Sequence, residues 1–133
     1  MQSRKEQPST ARPIGAGFTL IEMMIVVTLV GLLVALAIPN MVKARETSQL
    51  NLIYRNLRVL EGAKDQWALE NHKGNGDTIT DVNLLSGYLQ GGKINDAVHE
   101  HYIPNPVGTP PDAALPAGVK LGPYPAGAVI PAP

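Results

Sequence analysis

The sequence predicts an α+β protein: one long N-terminal helix, then a small head of a short helix, a few short strands and proline-rich loops. Three observations carry this. Residues 18–38 are apolar apart from Glu22, Thr19 and Thr28. Beyond them, apolar residues recur three and four apart at Leu50, Ile53, Leu57, Leu60, Ala63 and Trp67, the spacing of one helical face. Nine of the twelve prolines fall after residue 100, which confines regular structure there to short pieces.

The 133 residues are one domain's worth. Eleven basic and eleven acidic residues cancel, so nothing indicates a nucleic-acid partner. There are no cysteines. That excludes disulfide scaffolds, zinc–cysteine sites and thiol nucleophiles. Much of the apolar content sits in the first helix, which leaves little for the core of the head.

The order of segments is read as 1–17, a leader; 18–39, a membrane helix; 40–72, an amphipathic stem; and 73–133, the head. Residues 1–17 carry Arg4, Lys5 and Arg12 against Glu6, with Pro8 and Pro13. The apolar run follows this basic segment closely, unlike an ordinary secretory signal cut after its hydrophobic region. Basic residues favour the cytoplasmic side, which puts the head outside. About 21 helical residues at about 1.5 Å each cover about 31 Å, the thickness of a bilayer hydrocarbon core. Within that span Glu22 stands out. A carboxylate at the bilayer centre costs about 2.5–3.5 kcal/mol, somewhat less near the end where Glu22 lies. The residue calls for a partner.

Gly17-Phe18-Thr19-Leu20-Ile21-Glu22, followed by an unbroken apolar run closing at Pro39-Asn40, resembles the N-terminal signal of type IV pilins and pseudopilins. The resemblance is close over 17–40, weaker along the stem and absent beyond about residue 75. It implies removal of residues 1–17 by a prepilin peptidase, which cuts between Gly17 and Phe18 and N-methylates Phe18. It implies other copies of the chain and minor pilins or pseudopilins as partners, with an inner-membrane assembly platform. The expected location is a single-pass inner-membrane protein, N-terminus cytoplasmic and head outside. It then enters a periplasmic or extracellular filament. Retention of 1–17 as a cytoplasmic tail is the alternative.

Cutting frees an ammonium on Phe18, one helical turn from Glu22. The resemblance implies that Glu22 meets the amine of a neighbouring copy. At about 4 Å and an effective dielectric of about 20, two unit charges attract by about 4 kcal/mol, which offsets the burial penalty. A pair within one subunit is the rival. Gly31 weakens a helix, and Pro39 lacks an amide donor. The resemblance implies softening of the helix between them on assembly; close helix packing at Gly31 is the other reading.

Arg55, Asn56, Arg58, Glu61, Lys64 and Asp65 lie between the apolar positions of the stem, so this helix is amphipathic and its stripe needs cover. Fewer than three clean heptads argue against a coiled coil. The helix is expected to run to about His72, with a glycine at its end. In the head, Asp77–Asp81 reads as a turn and N-cap. Val82, Leu84, Leu85, Tyr88 and Leu89 suit a short helix ended by Gly91-Gly92. Residues 98–103 are expected as a strand stopped by Pro104, with 119–121 as its hairpin partner. The last residues are expected to be mobile. A head of this composition does not supply its own core, so Trp67, Leu60 and Leu57 are expected under Leu85, Tyr88 and Leu89.

Chemistry-bearing residues are few. His99-Glu100-His101 lacks the spacing of a zinc helix, although alternate strand residues share a face. Major pseudopilins, to which the chain has a resemblance, bind calcium in a C-terminal loop. Asp96, Glu100 and Asp112 offer oxygens but do not align to that loop. No cofactor, metal or catalytic residue is assigned, and no enzymatic activity is expected. The expected function is a filament subunit of a type II secretion pseudopilus or a type IV pilus-like fibre, the former preferred; a DNA-uptake pilus is a sub-case. The alternative is a single-pass membrane-anchored binding protein that does not polymerise.

Overall fold

A computed structural model describes residues 17–133. The basic leader, with Arg4, Lys5, Arg12, Pro8 and Pro13, lies outside the described residues. Helix α1 is Leu20–Glu70, 51 residues long, with Pro39 inside it. Strands β1 (His101–Ile103), β2 (Asp112–Ala114) and β3 (Val129–Pro131) follow. The chain divides into two compact units between Ala37 and Ile38.

In the first unit every described residue is exposed. Phe18 is 81% exposed and Leu33 66%. An 18-residue window of α1 reaches a mean hydropathy of 2.7, and its length and composition suit a membrane crossing.

In the second unit α1 supplies one wall of the core. Ile53, Leu57 and Leu60 are fully buried, with Ala63 and Ala68 close to it. They join one cluster with Leu85, Leu89, Tyr102, Val107, Ala113, Leu115, Leu121 and Ile130, and Trp67 and Tyr88 pack partly buried against it. The expected stem-to-head packing is therefore present. Lys64 was expected among the polar positions but is 1% exposed. Its place follows from geometry: 53, 57, 60, 64 and 68 are four, three, four and four apart, all on the buried face.

The helix stops at Glu70, two residues before the expected end. The amide of Lys73 donates to Ala68 O at 2.8 Å, and His72 takes the left-handed conformation, φ 53°. This is the closing pattern of a Schellman cap, with histidine where a glycine was expected. Asp81 caps the next segment by accepting from the Asn83 amide at 2.9 Å. That segment is a tight 3-10 helix, Val82–Tyr88, with Leu85 buried and Leu84 half exposed. Leu89 breaks it in extended conformation, before a single 3-10 turn at Gln90–Gly92.

The sheet corrects three expectations. Its order is β1-β2-β3, antiparallel throughout. The first strand is three residues long, because His99 at φ 62° turns the chain just before it. Residues 119–121 are not its partner: Leu121 makes only an isolated bridge to Tyr124, and β2 fills that place. The C-terminal stretch is not a loose tail, since β3 pairs along β2 and Ala132 N donates to Pro111 O at 3.2 Å. Tyr102, Ala113 and Ile130 stand opposite one another across the strands, and all three are buried. One residue per strand faces inward, as the period of two requires. Short strands among nine prolines left this pairing without a periodic signal to read.

Ile130→Ala is therefore expected to destabilise the head by about 2–5 kcal/mol, as for other buried aliphatics. Urea denaturation of the full chain in detergent measures this; a mobile tail would show no change.

Candidate assembly site and head network

Thr19 and Glu22 form a reciprocal pair at the start of α1. The Glu22 carboxylate accepts from Thr19 N at 2.9 Å and from Thr19 Oγ1 at 2.9 Å. The Glu22 amide donates back to Thr19 Oγ1 at 3.3 Å. This is a capping box, which satisfies amides that the first helical turn leaves without carbonyl partners. It was legible in Thr-x-x-Glu ahead of an apolar run. Glu22 thus has a partner inside its own chain, and that partner is Thr19. A negative charge in the first turn also complements the helix dipole. Gly17 and Phe18 precede the helix and are exposed. Gly31 lies within α1 with nothing within 4 Å of an added Cβ. Pro39 lies within it too.

The head carries a second polar cluster around Glu100, a buried carboxylate at 6% exposure. It accepts from the amides of Ala97 at 3.0 Å and Val98 at 2.8 Å. Tyr102 OH donates to it at 2.5 Å. Asn56 on α1 donates to Tyr102 OH at 2.8 Å and to Asn95 O at 2.9 Å, so the cluster ties the 95–102 loop to the stem. Burial acts to raise the Glu100 pKa; the hydrogen bonds from Tyr102, Val98 and Ala97 outweigh it and hold the carboxyl below its ordinary value. Burial, then the bond to Glu100, pushes Tyr102 well up.

The oxygens considered for calcium do not converge. Asp96 pairs with His99 at 2.7 Å, Glu100 holds its own turn, and Asp112 accepts from Asn105 Nδ2 at 2.9 Å. His99 lies in the turn before β1, so it does not share a strand face with His101. Among the described residues no group of three or more His, Asp or Glu is placed to hold a metal. Calcium at these carboxylates does not fit this structure.

An exposed apolar helix with a capped glutamate, leading into a small α+β head, defines the class: a helix-anchored protein with a membrane-type N-terminal segment. Comparison with known proteins narrows it. Residues 15–38 match the model of the prokaryotic N-terminal methylation motif. The chain is similar to type II secretion system core protein G of Klebsiella pneumoniae, 37% identical over 43% of this chain and 41% of the relative. The same protein of Escherichia coli is 36% identical over 42% and 39%. The type IV major pilin PilA of Myxococcus xanthus is 42% identical over 47% and 28%. The matched stretch spans less than half the length of each relative. No solved structure gives a match.

The Glu100 cluster sets a pH dependence. Its folded pKa lies below its unfolded value, so its contribution is complete above the unfolded value, near the ordinary 4.5. It is lost as pH falls through the folded pKa. Thermal melts of the wild type are expected to fall across that acidic window. Glu100→Gln is expected to lower stability at pH 7 by about 1–3 kcal/mol and to flatten the acid limb. An unchanged acid limb in the variant would show that Glu100 does not govern it.

Proposed function

We propose that the protein is a pilin-like structural subunit that polymerises through its N-terminal helix. The product is a type II secretion pseudopilus or a type IV pilus-like filament. The carrying observation is the conjunction, at one helix start, of the methylation motif over 15–38, a fully exposed apolar face and a carboxylate at Glu22. A helix whose described apolar residues are exposed needs lipid or other helices around it. A filament provides the second environment when the first is left.

In this reading residues 1–17 are removed at Gly17–Phe18 by a prepilin peptidase, and Phe18 is N-methylated. The released Phe18 ammonium of one copy meets Glu22 of the next. Gly31 and Pro39 mark where the helix yields on assembly. Before assembly the subunit rests in the inner membrane, N-terminus cytoplasmic and head outside, where minor pilins or pseudopilins and an assembly platform receive it. The relatives' names, a secretion core protein and a major pilin, support a structural role rather than a catalytic one.

The capping box favours a second reading. A Glu22 satisfied by Thr19 also suits a plain membrane anchor, in which the carboxylate only starts the helix. Two substitutions separate the readings. Thr19→Val removes both hydroxyl contacts of the cap and keeps the carboxylate; Glu22→Ala removes the carboxylate and leaves only the Glu22 amide donating to Thr19 Oγ1. In the filament reading Glu22→Ala lowers sheared or pelleted filament at least about tenfold, the effect of about 1.4 kcal/mol per contact, while Thr19→Val leaves most of it. In the anchor reading both variants leave function intact, and Glu22→Ala alone improves membrane insertion.

A further inference from the structure

The 104–111 segment reads Pro-Asn-Pro-Val-Gly-Thr-Pro-Pro. Four of its eight residues are proline, so it carries twice as many backbone acceptors as donors. A folded loop of this kind has surplus carbonyls, and buried carbonyls require partners. Its conformation turns several of them one way. Asn105 sits at φ 53°. Gly108 sits at φ 83°, where an added Cβ would lie 2.8 Å from the Asn75 side-chain oxygen. Val107 donates to Asp77 O at 3.0 Å and accepts from Gly76 N at 2.9 Å. Asn105 Nδ2 donates to Pro110 O at 2.8 Å.

Into this loop projects Lys64 from α1. Its ammonium donates to Pro104 O at 3.1 Å, to Pro106 O at 3.4 Å and to Thr109 O. Three N–H donors meet three carbonyl oxygens, and the residue is 1% exposed. A ring of neutral backbone oxygens around a desolvated positive charge is the chemistry of a hard-cation site. Among the described residues no carboxylate touches the ammonium; Glu61, Asp65 and Asp112 act on it only through their fields. A neutral side chain of the same length would leave the carbonyls of Pro104 and Thr109 without donors, while Pro106 O keeps the Thr109 amide at 3.0 Å.

We infer that the 104–109 loop is a cation cage whose resident cation is the Lys64 ammonium, which closes the head without a metal ion. This accounts for carboxylates that do not converge: Asp96, Glu100 and Asp112 have local duties because the positive charge arrives covalently from the stem. It also locks the loop to α1, since Lys64 lies one turn beyond Leu60 on the face that builds the core. The inference is independent of the filament reading, because it concerns the folding of the head alone.

The test uses the full chain in detergent micelles. Melting is followed in chelator and in millimolar calcium, and the 15N signal of the lysine ammonium groups is recorded in the same samples. One ammonium is expected to exchange slowly with water, to vanish in Lys64→Met, and to stay unmoved by calcium. Melting of the wild type is expected to be the same in both buffers. In Lys64→Ala the emptied cage is expected to accept methylammonium, recovering much of the lost melting temperature; Lys64→Met, which fills the space, is not expected to respond. A calcium-loaded loop at a hundredfold excess over Kd would raise melting by about 10 °C or more for a head of this size. That rise in the wild type, or a Lys64 ammonium in fast exchange with water, would overturn the inference even if neither alanine nor methionine variant folds.

Discussion

The burial of one face of the stem helix is the constraint on which the head depends. Residues 71–133 contain three strands of three residues each and two short 3-10 segments. Strands of that length do not stand alone in water. What gives them a common core is the row Ile53, Leu57, Leu60, Ala63 and Ala68 on α1, against which Leu85, Leu89, Tyr102, Ala113 and Ile130 gather. Each fully buried Leu or Ile contributes about 1.5–3 kcal/mol relative to exposure. The head is therefore a cover for the helix as much as the helix is a support for the head.

Polar groups fix the register of that cover. A purely apolar contact between a helix and proline-rich loops tolerates sliding, because dispersion is not directional. Three directional contacts from α1 forbid it. Asn56 reaches Asn95 O and Tyr102 OH, Lys64 reaches three loop carbonyls, and Tyr54 OH meets Tyr124 OH at 3.1 Å. Among the described residues no buried side-chain polar atom lacks a partner. Satisfying buried polar atoms in this way favours one arrangement over its near neighbours.

How much of this was legible depended on periodicity. The apolar span, the stem stripe, the Asp81 cap and the packing of Leu57 and Leu60 under Leu85 all carry a spacing signal. The head's strands do not, since three residues show too little alternation to distinguish β2 from a loop. Lys64 was passed over because residue type outweighed position: it sits on the stripe, but lysine is ordinarily solvated. The proline count that suggested loops also implied a surplus of carbonyls, and following that surplus would have led to a buried donor. The Thr19 cap is masked in the sequence because a carboxylate inside an apolar run signals a charge in lipid more strongly than the third residue of a helix.

The first unit poses the opposite problem. Its described apolar residues are exposed, residues 15–38 match the prokaryotic N-terminal methylation motif, and the chain is similar to proteins named for secretion and for pili. The account turns on whether this helix is processed and extracted into a polymer. The most direct measurement is mass spectrometry of the N-terminal peptide from native cells, taken from both sheared surface material and membranes. A methylated Phe18 as the first residue is the predicted result. Its presence in sheared material means a surface fibre; confinement to membranes means a secretion pseudopilus. An intact peptide beginning at Met1 and running through Gly17 into Phe18, in both fractions, would contradict the account and leave a simple anchor.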